Sequence, residues 1–190
     1  MDESQSRGQK GLSLSPFVIE PSSRHTHSLI LLHGLGSNGE RFGKELLETG
    51  VCSNGRKLTD ILPGARCIFP TLRRRRSTTL NQLRGLEEST REILELIDQE
   101  SGKVPRGNII LGGLSQGCAM ALVCLLAIDF SVGGFVGMSG WLPCRNEIEE
   151  LVKADDKGDS EDDPFGSDDD VLSLHLVIMS VKRRIRRSES

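Results

Sequence analysis

The motif Gly113-Leu114-Ser115-Gln116-Gly117 constrains this chain more than any other stretch of its sequence. An apolar run at residues 108–112 precedes it, and a second apolar run at 118–126 follows. A G-x-S-x-G sequence between a strand and a helix is typical of a nucleophile elbow, a sharp strained turn that exposes the serine at the end of the strand. A Cβ atom on either flanking glycine would collide with the neighbouring backbone. The pattern therefore predicts that Ser115 is a nucleophile and that the backbone N–H of Gln116 faces a developing oxyanion.

Short apolar runs alternate with helical patterns along much of the chain. Strands are predicted at residues 28–32, 67–69, 108–112 and 134–138, and we expect the last of these to be buried. Helices are predicted from about residue 40 to Gly50, at 85–100, and directly after the Ser115 motif. This alternation predicts an α/β fold with a mainly parallel sheet and helices on both of its faces.

The 190 residues are enough for one domain, and the two ends of the chain differ from its middle in composition. We predict a flexible arm at residues 1–15, an α/β domain at 16–152, an acidic disordered segment at 153–170, and a possible strand with a basic tail at 171–190. Residues 155–170 hold nine carboxylates among sixteen residues, and such a stretch repels itself and buries little apolar surface.

Charge and cysteine usage exclude several classes of protein. Positive and negative side chains balance over residues 1–150, so we expect no nucleic-acid partner. The five cysteines form no C-x-x-C pair, which favours reduced thiols and a cytoplasmic or nucleocytoplasmic location. The N terminus lacks the pattern of a signal peptide, and the longest apolar run, 119–128, is shorter than the about 20 residues of a membrane span. We therefore expect no stable membrane insertion. No metal-ligand spacing is present, and the oligomeric state stays open.

Three motifs, in this order, resemble the acyl-protein thioesterase, lysophospholipase and carboxylesterase family of α/β-hydrolases. They are Leu31-Leu32-His33-Gly34-Leu35-Gly36, Gly112-Gly113-Leu114-Ser115-Gln116-Gly117 and Gly137-Met138-Ser139-Gly140-Trp141-Leu142-Pro143. The similarity covers roughly residues 12–151 and implies an incomplete form of that fold. It implies Ser115 as nucleophile, the N–H groups of Leu35 and Gln116 as oxyanion hole, and Trp141 beside the acyl pocket. The implied reaction is hydrolysis of fatty acyl thioesters or esters through an acyl-enzyme without a cofactor. Acylated proteins, lysophospholipids or other small acyl esters would be the substrates.

The sequence departs from this family after Trp141. The family places its catalytic Asp in a Gly-His-Gly-x-x-Asp setting and its His in a later Gly-His setting, and neither pattern follows here. His175 lies inside a strand-like apolar run, which is more typical of a packed residue than of a base. Two alternatives stay open: a serine hydrolase that is weak or inactive in this shortened chain, and a catalytically dead relative that binds acyl groups or a partner.

The other histidines are assigned structural places. His33 precedes the predicted oxyanion loop, and we expect it to anchor that loop by hydrogen bonds. His25 and His27 precede the first predicted strand and are expected at the surface.

Residues 34–39 also match G-x-G-x-x-G, the dinucleotide-binding pattern. That pattern requires an acidic residue at the end of the next strand, about 20 residues on, and the predicted strand at 67–69 offers none. The sequence therefore favours an oxyanion loop at this position.

Overall fold

The computed structural model describes residues 15–72 and 79–142, and the described part forms a five-stranded sheet with four α-helices. The strands are β1 (Phe17–Ile19), β2 (His27–Leu32), β3 (Ala65–Phe69), β4 (Ile109–Leu114) and β5 (Gly134–Met138). The helices are α1 (Gly39–Thr49), α2 (Leu58–Ile61), α3 (Thr79–Ser101) and α4 (Gln116–Ala127), with a 3₁₀ turn at Arg106–Asn108. Nearly all of the predicted arm, and the acidic and basic segments after residue 152, lie outside the described residues.

The sheet has the strand order β1-β3-β2-β4-β5 and is parallel except for β1, which pairs antiparallel with β3. Leu32 of β2 pairs with Gly113 of β4, and Leu114 pairs with Met138 of β5. The carboxyl ends of β2, β4 and β5 therefore meet at one edge, where ligands of open α/β sheets bind. The predicted mainly parallel sheet is confirmed.

Helices cover both faces of the sheet, as predicted. Alternate side chains of β2 point to opposite faces, so Ile30 and Leu32 enter one apolar cluster while Leu29 and Leu31 enter another. The first cluster also contains side chains of α3 and α4, and the second contains Phe42 of α1. The central strand β2 is therefore buried on both faces, which explains its continuous apolar sequence.

Two predictions about these elements were wrong. β5 is partly exposed rather than buried, and Val136 keeps 46% of its surface exposed. Of the described strands only β4 pairs with β5, so the apolar run belongs to an edge in this part of the chain. Helix α3 begins at Thr79, six residues before the predicted start at Gly85. A glycine inside a helix costs only about 1 kcal/mol, so Gly85 does not mark the beginning of this helix. The sequence analysis did not predict β1 or α2.

No helix within residues 15–72 and 79–142 is both long enough and apolar enough to cross a membrane.

Candidate active site

Ser115 occupies a strained turn between β4 and α4, with φ 53° and ψ −117°. A non-glycine residue in this region of backbone space typically costs about 1–3 kcal/mol. The two flanking glycines permit the close packing that holds the turn. A Cβ atom on Gly113 would lie 2.5 Å from the carbonyl carbon of Gly117, and one on Gly117 would overlap the carbonyl oxygens of Leu32 and His33. The predicted elbow conformation is confirmed.

Backbone hydrogen bonds hold Ser115 on both sides. Its N–H donates to the carbonyl oxygen of Met138 in β5 at 2.8 Å, and its own carbonyl accepts the N–H of Ala119 at 3.1 Å. The N–H of Ser115 is thus already engaged with the sheet. An oxyanion hole at this site would have to use other donors.

The loop after β2 lies directly against Ser115. A Cβ atom built on Gly34 would be 3.6 Å from the Cβ atom of Ser115. The N–H of Ser37 donates to the carbonyl of Gly34 at 3.3 Å, closing a turn in which the N–H of Leu35 plays no part. Gln116 is the first residue of α4, where an N–H group has no intrahelical acceptor. The structure thus brings Leu35 and Gln116 to the same edge as Ser115.

His33 anchors this loop, as the sequence analysis predicted. It is buried, with Nδ1 2.8 Å from the carbonyl oxygen of Gly34 and Nε2 accepting the N–H of Leu72 at 3.0 Å. A backbone N–H can only donate and a carbonyl can only accept, so these partners require the tautomer with its proton on Nδ1. Because both ring nitrogens are engaged, His33 has none to offer Ser115.

Side chains of this protein accept hydrogen bonds from backbone N–H groups in the first turn of α1. Asn38 accepts the N–H of Arg41 at 2.8 Å, and the N–H of Gly39 donates to Oγ1 of Thr71 at 3.0 Å. These first-turn N–H groups are the ones that a dinucleotide fingerprint presents to a pyrophosphate. Their engagement disfavours the dinucleotide interpretation of residues 34–39.

The two remaining described histidines lie far from Ser115. His25 precedes β2 and His27 is its first residue, so both lie at the edge opposite the carboxyl ends of the parallel strands. Both keep part of their surface exposed, which agrees with the predicted surface position, and His25 also enters a polar network. Its Nε2 is 3.1 Å from the carbonyl of His27 and 3.0 Å from Oγ of Ser28. His175, the fourth histidine of the sequence, lies outside the described residues.

Two large apolar side chains are exposed near the carboxyl edge of the sheet. Leu35 is 68% exposed in the loop against Ser115, and Trp141, 54% exposed, follows β5 by three residues.

A buried carboxylate marks the opposite edge. Glu100 of α3 accepts hydrogen bonds from Oγ of Ser28 and Nζ of Lys103, both at 2.6 Å, and from Arg66 at 3.2 Å. Burial by itself raises the pKa of Glu100, but the hydrogen bonds from Lys103 and Ser28 and the charge of Arg66 outweigh it, so the net pKa is lowered. In the described part of the chain no cluster of His, Cys, Asp and Glu side chains could hold a metal ion.

The parallel sheet, the strained serine between β4 and α4, and the loop of Gly34 against that serine define an α/β-hydrolase fold. A family model described as Phospholipase/Carboxylesterase matches residues 14–186. The chain belongs to this family. The match continues beyond residue 151, where the resemblance of the three motifs ends.

Curated relatives and solved structures agree with this assignment. Acyl-protein thioesterase 1 of Schizosaccharomyces pombe is 30% identical over an alignment of 152 residues that covers 73% of this chain and 66% of that protein. Acyl-protein thioesterase 1 of Gibberella zeae is 30% identical over 162 residues, covering 75% and 68%. The crystal structure of Zea mays acyl-protein thioesterase 2 superposes with a TM-score of 0.54 at 21% identity, over 86% of this chain and 72% of that one. The chain spans about two thirds of the length of the curated relatives it matches.

Proposed function

We propose that Ser115 is the nucleophile of a serine hydrolase that acts on fatty acyl thioesters or esters. Acylated proteins, lysophospholipids or other small acyl esters are its substrates. The observation that carries this proposal is the strained Ser115 turn with Gly34 packed against it, which gathers a hydroxyl and candidate oxyanion donors at one edge. The names of the two fungal relatives, acyl-protein thioesterase 1, support acylated proteins as the substrate class.

In the proposed reaction Oγ of Ser115 attacks the acyl carbonyl, and the N–H groups of Leu35 and Gln116 stabilise the oxyanion. The thiol or alcohol leaves with the proton that Ser115 gave up, and water then hydrolyses the acyl-enzyme. Because the N–H of Ser115 already donates to Met138, the two neighbouring N–H groups carry the oxyanion. Trp141 and Leu35 offer apolar surface to the acyl chain.

Proton transfer is the slow step of this proposal. None of the three described histidines has a ring nitrogen directed at Ser115: His33 uses both, and His25 and His27 lie at the opposite edge. His175 is the other histidine in the sequence. An unassisted hydroxyl is a weak nucleophile at neutral pH. We therefore expect weak turnover in wild type, only slightly above the about 10³–10⁴-fold over water that an oxyanion hole and substrate binding supply without a complete triad.

None of the three described histidines is directed at Ser115, and this also favours a second candidate, a catalytically dead relative that binds acyl groups or a partner. The two candidates differ in whether Ser115 ever becomes covalently modified. A fluorophosphonate probe followed by peptide mapping measures this directly. Wild type should be compared with Ser115→Ala and His175→Ala, with His27→Ala as the matched control because His27 lies at the opposite edge of the sheet.

We expect slow labelling at Ser115, none in Ser115→Ala, and weak release of p-nitrophenol and of palmitoyl thioester products that follows the labelling. A lower rate in His175→Ala but not in His27→Ala would identify the base. Absence of labelling, together with equal turnover in wild type and Ser115→Ala, would contradict the hydrolase proposal. Saturable binding of a palmitoyl probe would then favour the binding relative.

A further inference from the structure

Two strained serines lie side by side at the carboxyl edge of the sheet. Among the described residues, Ser115 and Ser139 are the only non-glycine residues with positive φ, at 53° and 50°. Ser115 follows β4 and Ser139 follows β5, and the last residues of these strands, Leu114 and Met138, are partners in the ladder. The strain at Ser115 is explained by the nucleophile elbow. Nothing in that motif requires strain at Ser139.

The peptide group before Ser139 is the one that holds the nucleophile. Its oxygen, the carbonyl of Met138, accepts the N–H of Ser115 at 2.8 Å. The φ angle of Ser139 is the first rotation after this peptide group, so it sets the direction in which the chain leaves β5 while the carbonyl stays on Ser115. An extended φ at Ser139 would continue the strand, whereas the left-handed value turns the chain.

This turn brings the chain onto the first turn of α4. A Cβ atom on Gly140 would lie 2.6 Å from the Cβ atom of Cys118, and one on Gly137 would lie 2.9 Å from its Sγ atom. Cys118 is buried and stands three residues after Ser115. The chain around Ser139 thus touches the elbow twice, through a hydrogen bond to Ser115 and by packing against α4.

We propose that Ser139 is a positioning residue for Ser115. Its left-handed backbone aligns the Met138 carbonyl with the Ser115 N–H and seats Gly140 on Cys118, so the strained nucleophile turn cannot relax. The effect runs through the backbone, not through the Ser139 hydroxyl. The effect on reactivity rests on the proposed function of Ser115, whereas the effect on its hydrogen bond does not.

A substitution series at position 139 distinguishes an effect of the backbone conformation from an effect of the Ser139 hydroxyl group. Ser139→Gly removes the hydroxyl and adopts positive φ freely, Ser139→Ala removes the hydroxyl but keeps the Cβ atom that serine also has, and Ser139→Val is β-branched and strongly resists positive φ. Ser131→Val is the matched control, because Ser131 is exposed just before β5 and has no positive φ. Two quantities are measured: the hydrogen exchange rate of the Ser115 amide, and the second-order rate of fluorophosphonate labelling.

We expect Ser139→Gly and Ser131→Val to stay within about threefold of wild type in both quantities. Ser139→Ala should also stay near wild type, because alanine and serine carry the same Cβ atom. In Ser139→Val the Ser115 amide should exchange at least about tenfold faster, and Ser115 should be labelled at least about tenfold more slowly. If circular dichroism shows that the valine variant is unfolded, Ser139→Thr replaces it, because threonine is also β-branched but keeps the hydroxyl group. A loss in Ser139→Thr then supports the proposal, and wild-type values contradict it.

Equal losses in Ser139→Gly and Ser139→Ala would overturn the proposal in favour of the hydroxyl, and wild-type values throughout the series would overturn it entirely. If wild type is not labelled and turns over no faster than Ser115→Ala, the proposed function of Ser115 fails, and the amide exchange series still tests the positioning role.

Discussion

Close packing determines the identity of Gly117 more strongly than helix propensity does. The residue lies in the first turn of α4, where alanine would gain about 1 kcal/mol of helix propensity over glycine. Its Cβ atom, however, would overlap the carbonyl oxygens of Leu32 and His33. Because the overlap is with backbone at a sheet end, relief requires the helix to move.

We therefore predict that Gly117→Ala lowers the free energy of unfolding by about 1–3 kcal/mol, the usual cost of overpacking. Urea unfolding followed by circular dichroism measures it. Gly107→Ala is the matched control, since a Cβ atom there meets nothing within 4 Å. Equal stability of the two variants would mean that α4 docks more loosely on β2 than the structure shows.

The ring of His33 links two separate segments at the carboxyl edge. His33→Ala leaves both the carbonyl of Gly34 and the N–H of Leu72 without this partner. An unsatisfied buried group costs about 1–3 kcal/mol, so we predict a loss of stability in that range and slower labelling of Ser115. His27→Ala, whose Nδ1 contact with Thr26 is exposed, should lose less than about 1 kcal/mol. Urea unfolding distinguishes them, and similar losses in both variants would contradict the anchoring role.

At the scale of elements, Glu100 ties the end of α3 to the sheet. Its carboxylate contacts Ser28 of β2 and Arg66 of β3, and Arg66 also pairs with Glu20, next to β1, at 3.0 Å. We predict that Glu100→Gln lowers the free energy of unfolding at neutral pH by about 1–3 kcal/mol. Glu95→Gln in the same helix, whose pair with Arg91 is exposed, should cost less than about 1 kcal/mol.

The pH dependence of this difference has a defined sign. The pKa of Glu100 is lowered in the folded chain from its ordinary value of 4.5. A carboxyl group of this kind contributes its stability above the unfolded pKa and loses it as the pH falls through the folded pKa. The gap between wild type and Glu100→Gln should therefore be constant above about pH 5.5 and shrink below about pH 4.5. A gap that widens in acid would show that the carboxyl group is bound in its protonated form.

The sequence predicted most elements because their patterns are local. The buried strand β2 and the sites of β3, β4 and α4 follow from continuous apolar runs with clear breakers. β1 was missed because three residues carry too little periodicity and its antiparallel partner, β3, is distant in sequence. The prediction that β5 is buried was wrong because an apolar sequence does not distinguish a central strand from an edge strand.

The same limit applies to the site. The elbow at Ser115 and the loop after β2 could be found from short motifs, because a glycine-flanked turn is encoded by neighbouring residues. A base and its acid reach a nucleophile through tertiary structure, so a missing motif does not identify which histidine, if any, serves Ser115. The roles of Leu35, Gln116 and Trp141 remain predictions.

At the scale of the whole molecule, the reactivity of buried thiols measures how readily each side of the sheet opens. Cys67 packs in the cluster on the α1 side and Cys124 in the cluster on the α3 and α4 side, whereas Cys52 is exposed. Burial raises the pKa of Cys67, and it raises the pKa of Cys124 to about 12. Since the thiolate is the reactive form, both buried residues should react only when the structure opens.

We predict that iodoacetamide modifies Cys52 rapidly in the native chain, and Cys67 and Cys124 slowly at one common rate set by global unfolding. Peptide mapping by mass spectrometry over time measures the three rates, and Cys52→Ser should remove the fast one alone. Faster modification of Cys124 than of Cys67 would mean that the α3 and α4 face opens by itself.

The strand order has a consequence for how the chain folds as it is made. β2 lies between β3, the next strand along the chain after α1 and α2, and β4, which comes later, after α3. When the pair β2–β3 first forms, one side of β2 therefore exposes unpaired N–H and C=O groups beside Leu29, Ile30 and Leu31. At synthesis rates of about 5–20 residues per second, that edge waits on the order of several seconds for β4. An apolar strand with an open edge is a site for aggregation, so we expect the nascent chain to be prone to aggregation until β4 has paired with β2.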